Sequence, residues 1–154
     1  MIIAISGTPA TGKTEVAKEV ANKLGFRYVS LNRLAEEKDL YAGYDDERDC
    51  KIVDTEAVSG EIKKRKNENL VIESHYAHDV YSDVLIILMC ELKELKKRME
   101  KRKWPGTKIR ENMDSEIMEV IKTEALESGK KFYEVDSSGS LSKTVKEILK
   151  IVKQ

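Results

Sequence analysis

The sequence predicts an α/β fold of the P-loop class, a three-layer α/β/α arrangement on a five-stranded parallel sheet. Two observations carry this. Gly7-Thr8-Pro9-Ala10-Thr11-Gly12-Lys13-Thr14 matches the pattern G-x-x-x-x-G-K-[ST] in full. It also sits between an apolar run (Met1, Ile2, Ile3, Ala4, Ile5) and a helical repeat (Val16, Ala17, Val20, Ala21, Leu24). Beyond the motif, apolar runs and helical periods alternate along the chain. Such alternation gives a parallel sheet covered by helices, with ligands at the C-terminal ends of the strands.

The elements follow in order. The run at 1–5 suits a strand buried on both faces, and Gly25 can end the helix after the P-loop. A short strand at 27–29 and a helix at 31–38 come next, then a polar stretch at 40–49 with no assigned element. Asp54 can N-cap a helix running to about residue 66. Residues 69–72 and 84–89 read as buried strands, and 91–103 as a charged helix interrupted at Trp104-Pro105-Gly106. One long helix is expected from about 108 to 126, ended by Ser128-Gly129. A fifth strand at 131–135 and a closing helix at 142–152 complete the chain.

A length of 154 residues suits one domain with a substantial core. Lys+Arg and Asp+Glu are equal at 28 each, so net charge draws the chain toward neither nucleic acid nor membrane. The apolar run at 84–90 is too short to span a bilayer, and a first strand starting at Met1 leaves no room for a signal peptide. Cys50 and Cys90 lack C-x-x-C spacing and read as free thiols of a reducing, cytoplasmic setting.

The P-loop physics is specific: backbone N–H groups and a helix N-terminus cradle phosphate oxygens. Lys13 supplies charge to the outer phosphates of ATP, and Thr14 offers a hydroxyl to Mg2+. Gly7, Ala10, Gly12 and Glu15 complete the expected phosphate-binding set. Ala10 fits such a turn only with negative φ. Glu15 mildly opposes an anion while suiting the helix N-terminus. Glu73 ends a buried strand beside the P-loop, where an acid can hold magnesium through water. GTPase signatures are missing: Asn22-Lys23-Leu24-Gly25 lacks the aspartate, and Asp136-Ser137-Ser138-Gly139 follows the last strand. Ser30-Leu31-Asn32 does not supply the paired aspartates expected of a shikimate-type kinase.

Three segments then resemble the adenylate kinase isoenzyme 6 (CINAP-like) family, over nearly the whole chain. They are Leu40-Tyr41-Ala42-Gly43-Tyr44-Asp45 with its continuation to Cys50, Ile72-Glu73-Ser74-His75, and Arg102-Lys103-Trp104 before Lys108-Ile109-Arg110-Glu111-Asn112. The resemblance implies a broad-specificity nucleoside monophosphate kinase acting on ATP and AMP. It also implies ATPase activity and a role in late maturation of the small ribosomal subunit. On it, a short NMP-binding segment falls at about 30–52 and a lid at about 101–111, within one kinase domain at 1–154. His75 matches the family's Walker-B-like histidine, and Arg102 its lid arginine, so catalysis is assigned to Lys13, His75 and Arg102. Tyr41, Tyr44 and Asp45 fall in the monophosphate-binding region. Glu73 stands where relatives usually place aspartate. Arg98 and Arg110 are further phosphate candidates, Trp104 is expected to pack, and His75 and His78 lack companions for a metal pair. The family's partner is a small-subunit platform ribosomal protein. The acidic run Asp45-Asp46-Glu47 would attract such a basic protein. An alternative is an ATP-switched assembly factor with little kinase activity.

Overall fold

A computed structural model describes residues 1–154. Its centre is β1 (Ile2–Gly7), buried along its whole length. The P-loop leads from it into α1 (Lys13–Leu24), which ends at Gly25 with φ 70°. Then come β2 (Arg27–Ser30), α2 (Leu31–Lys38), β3 (Tyr41–Asp45), β4 (Cys50–Val53) and α3 (Thr55–Lys63). β5 (Leu70–Glu73), a short 3-10 turn (Ala77–Asp79) and β6 (Val84–Met89) follow. The chain closes with α4 (Leu92–Lys101), α5 (Gly106–Ile117), α6 (Val120–Glu127), β7 (Tyr133–Asp136) and α7 (Leu141–Val152).

The main sheet is five-stranded in the order β2-β5-β1-β6-β7, and every pairing in it is parallel. Side chains of β1 alternate between two cores, as strand geometry requires. Ile2 and Ala4 pack with Leu31, Val58, Ile62 and Ala125 under α2, α3 and α6. Ile3 and Ile5 pack with Val16, Val20, Val145 and Ile148 under α1 and α7. The expected three layers are present. Each fully buried isoleucine contributes about 1.5–3 kcal/mol relative to exposure, so the strand carrying the P-loop is the best-anchored element. A small third core, Ala10, Cys90, Leu95 and Met99 with Trp104, packs α4 and α5 onto the loop.

Side-chain caps start three helices where hydroxyl or carboxylate residues stand. Ser30 accepts from Arg33 N–H at 3.3 Å, Asp54 from Ala57 N–H at 3.0 Å, and Ser140 from Lys143 N–H at 3.2 Å.

Three expectations change. The polar stretch is the hairpin β3–β4, antiparallel, with Tyr41 opposite Val53 and Asp45 opposite Cys50. Its turn is closed by Asp45, whose carboxylate accepts from Glu47 and Arg48 N–H at 3.1 and 3.2 Å. The long helix is broken into α5 and α6 at Glu119, φ 49°. In an unbroken helix Glu116 and Ala125 would face about 180° apart. The break turns both inward, and both are buried. The last strand starts at Tyr133, leaving Lys131 outside it.

Candidate active site

The P-loop leaves β1 in the middle of the sheet, between β5 and β6. Gly7 has no room for a side chain: a Cβ there would lie 2.9 Å from Thr11 Oγ1 and 3.0 Å from the Leu88 carbonyl oxygen. Gly12, φ 91°, is the N-cap of α1 and has no side chain to cap it, so first-turn N–H groups are left for an anion. Ala10 has φ 74°, against the negative φ expected for an alanine. Its methyl group is buried against Leu95, Met99 and Cys90, and this packing offsets part of a left-handed strain of about 1–2 kcal/mol. Arg98 braces the loop, donating to the Thr11 carbonyl at 3.1 Å and the Ser137 carbonyl at 2.7 Å.

Two cavities flank the loop. The larger, ≈ 820 Å³, lies between the P-loop, α1, Arg98, the β7–α7 connection with Ser137 and Gly139, and the first turn of α7 with Thr144. Gly12 and Glu15 also line this cavity. The smaller, ≈ 540 Å³, is walled by Tyr28, Ser30, Asn32, Arg33, Glu73, His75, Trp104 and Lys108. Ala10, Lys13, Thr14, Lys18 and Arg102 line both. The shared wall is therefore cationic, with Lys13 and Arg102 facing each chamber.

Lys13 donates to the Thr8 carbonyl at 3.3 Å. Burial lowers its ammonium to about 8; the Glu73 carboxylate opposes this shift and Arg102 adds to it. Thr14 Oγ1 donates to Glu73 Oε1 at 3.1 Å, and Tyr28 Oη to the same oxygen at 2.7 Å. Two hard oxygen ligands beside a phosphate cradle fit magnesium. His75 borders the same cavity, and burial by its walls, then the Lys13 charge, lowers its pKa and favours the neutral imidazole. Trp104 packs as expected, and Lys108 Nζ and Arg102 Cζ stand over its ring at 3.8 and 5.5 Å. Beneath the loop, Glu116 is buried and accepts from Cys90 N–H at 3.4 Å; burial raises its carboxyl.

Lys13, Thr14, Ala10, Glu73, His75 and Arg102 are thus brought together around one wall. Tyr41, Tyr44 and Asp45 line neither cavity. Tyr41 packs on the core with Lys51 over its ring, exposed Tyr44 bonds Asp49, and Asp45 serves its own turn. Arg110 is exposed on α5 and also outside both cavities. Sequence reading missed Tyr28, Ser30, Asn32, Arg33 and Lys108. Ser30, Asn32 and Arg33 fall within the expected acceptor segment at 30–52 and Lys108 within the expected lid at 101–111, without a role of their own. Tyr28 is marked only by position, since β2 ends beside the Glu73 strand end with Ser30 opposite Glu73. His78 bonds Ser6 and Glu124 instead of pairing with His75. No helix is long and apolar enough to cross a membrane, and both cysteines are free.

A family profile described as "AAA domain" matches residues 3–119. The chain is 38% identical over 157 residues to a "Putative adenylate kinase" of Methanosarcina barkeri, covering 99% of this chain and 86% of that one. A protein of the same description from Pyrococcus furiosus is 39% identical over 153 residues, covering 99% and 84%. Shikimate kinase from Bacteroides thetaiotaomicron superposes with TM-score 0.69 at 16% identity, covering 100% of this chain and 99% of that one. Deoxyadenosine kinase from M. mycoides with bound dATP gives TM-score 0.66 at 18% identity, covering all of both chains. At these identities the two structures show the fold alone.

Proposed function

The chain carries the AAA domain and belongs to the adenylate-kinase-like family of these archaeal relatives, and we propose that it transfers the γ-phosphoryl group of ATP to a nucleoside monophosphate, AMP among the acceptors. One observation carries this reading: two cavities meet at a single wall where Lys13 and Arg102 supply positive charge and Thr14 a hydroxyl. A hydrolase needs one nucleotide chamber. A nucleotide kinase needs two, meeting where the phosphoryl group passes.

The larger cavity takes ATP and the smaller the acceptor. Lys13 and Arg102 neutralise charge on the transferred group, which is most of what phosphoryl transfer asks of a protein. Neutral His75 accepts or orients the proton of the attacking group. Thr14 and Glu73 would hold Mg2+, which when bound neutralises phosphate charge. Segment 30–52 acts as the acceptor-side flap and 101–111 as the lid, within one kinase domain at 1–154. Water entering the acceptor cavity in place of a monophosphate accounts for ATPase activity. Broad specificity and a role in small-subunit maturation rest on resemblance to the isoenzyme 6 family, and the cytoplasmic setting on the two free thiols. The exposed Asp46 and Glu47 at the hairpin turn support a basic ribosomal protein as a second partner, with nucleotide state governing its release.

The test is phosphate transfer from ATP to AMP, CMP, GMP and UMP beside an acceptor-free control. AMP should raise ADP formation well above the control. A rate indifferent to every monophosphate would favour the ATP-switched assembly factor.

A further inference from the structure

The Glu73 carboxylate is held by only one of its oxygens. Tyr28 Oη and Thr14 Oγ1 both donate to Oε1, at 2.7 and 3.1 Å, and Oε2 has no protein donor. The three residues come from three elements that meet at the C-terminal edge of the sheet: Tyr28 from β2, Thr14 from the start of α1, Glu73 from the end of β5. Compared with aspartate, glutamate carries one more rotatable bond, and an unanchored carboxylate at this edge would sample several positions. A hydroxyl that approaches from the neighbouring strand removes that freedom.

We propose that Tyr28 is a positioning residue for the phosphoryl-transfer site: its hydroxyl fixes Glu73 through Oε1 and so presents Oε2 to the water shell of the metal. The proposal rests on the reading of Glu73 as the acid on the metal side. A Thr14 hydroxyl that gives its oxygen lone pair to a metal keeps its proton for Oε1, so the arrangement is compatible with the loaded state. Tyr28 also walls the smaller cavity, with Lys18 Nζ 5.5 Å from its ring centre, so the same side chain sets one edge of the acceptor chamber. Its ring packs against the core that α1 covers. Tyr28→Phe keeps that packing and removes only the donor.

The experiment measures Mn2+ affinity by electron paramagnetic resonance, with the non-hydrolysable β,γ-imido analogue of ATP bound. It compares wild type, Tyr28→Phe, Glu73→Gln and the double variant, alongside thermal melts and metal-free ATP binding. Losing a hydrogen bond to a charged group should weaken Mn2+ binding by about tenfold in Tyr28→Phe. Melting temperature should fall by no more than a few degrees, as loss of one hydrogen bond requires. Metal-free ATP affinity should be unchanged, and kcat with magnesium should fall by about the same factor as Mn2+ affinity. In the double variant the Tyr28 substitution should add almost nothing, because Tyr28 acts through Glu73. If Glu73→Gln loses Mn2+ and Tyr28→Phe does not, or if the effects add, the positioning role is overturned while Glu73 keeps its own. If Glu73→Gln binds Mn2+ like wild type, the reading of Glu73 fails, and the proposal with it.

Discussion

The two chambers beside the P-loop are built by different means. The donor chamber rests on backbone: Gly7 admits no side chain, Gly12 holds a left-handed turn, and Arg98 ties two loop carbonyls together. The acceptor chamber rests on side chains from separate elements, with Tyr28 on β2, Arg33 on α2, His75 after β5 and Lys108 on α5. Backbone that must adopt one path confines residue types over a contiguous stretch, so it leaves a motif. Side chains gathered by topology leave none. The difference also implies unequal consequences of substitution. A change at the shared wall should disable both chambers, and so should loss of His75, which serves whichever group attacks. A change to a side chain that only holds the monophosphate, such as Arg33, should spare nucleotide hydrolysis.

Lys13→Ala gives the largest effect. Removing the charge on the shared wall should lower both transfer and acceptor-free hydrolysis by at least about 10²–10³ in kcat, read from ADP formation. Near-normal turnover would break the shared wall outright. His75→Ala should lower turnover by about 10²-fold with little change in ATP affinity, since a general base acts in the transition state. Arg33→Ala should raise the KM for the monophosphate about tenfold and leave acceptor-free hydrolysis unchanged. Equal losses in both reactions would erase the distinction between the chambers.

Two smaller effects probe the support beneath the donor chamber. Burial raises the Glu116 carboxyl, so the folded state holds its proton more tightly than the unfolded state. Its ionised form therefore costs stability at neutral and alkaline pH, and that cost disappears as pH falls below the unfolded value. Glu116→Gln keeps an acceptor for Cys90 N–H and should melt higher than wild type at about pH 8, the gap closing toward about pH 4. Ala10→Gly should shift stability least, within about 0.5 kcal/mol by denaturant unfolding. Relief of left-handed strain, about 1–2 kcal/mol, is offset by loss of a buried methyl, about 0.8 kcal/mol, and by glycine's greater backbone entropy in the unfolded chain.

The same contrast explains what the sequence made legible. The buried run at 84–89, the capped helix at 31–38 and the P-loop were readable because burial, periodicity and caps are local. The hairpin β3–β4 was not: Tyr44 is exposed and Asp45 is spent on its own turn, so no alternation of buried and exposed residues marks it. The break at Glu119 was hidden because no glycine or proline stands there; the pull of Glu116 and Ala125 on opposite helical faces decides it. Glu73 and His75 could be found from the end of a buried strand together with family resemblance. Arg33 was confined only to the broad segment at 30–52, and Tyr28 could be found only once β2 was known to lie against β5.

The central claim is that one chain binds two nucleotides that meet at Lys13 and Arg102. A single molecule in which two adenosines are joined by a chain of five phosphates tests it directly by calorimetry. The account predicts one such molecule per chain, displaced by ATP and by AMP alike, and weakened by both Lys13→Ala and Arg33→Ala. Binding displaced by ATP alone, and indifferent to Arg33→Ala, would contradict it.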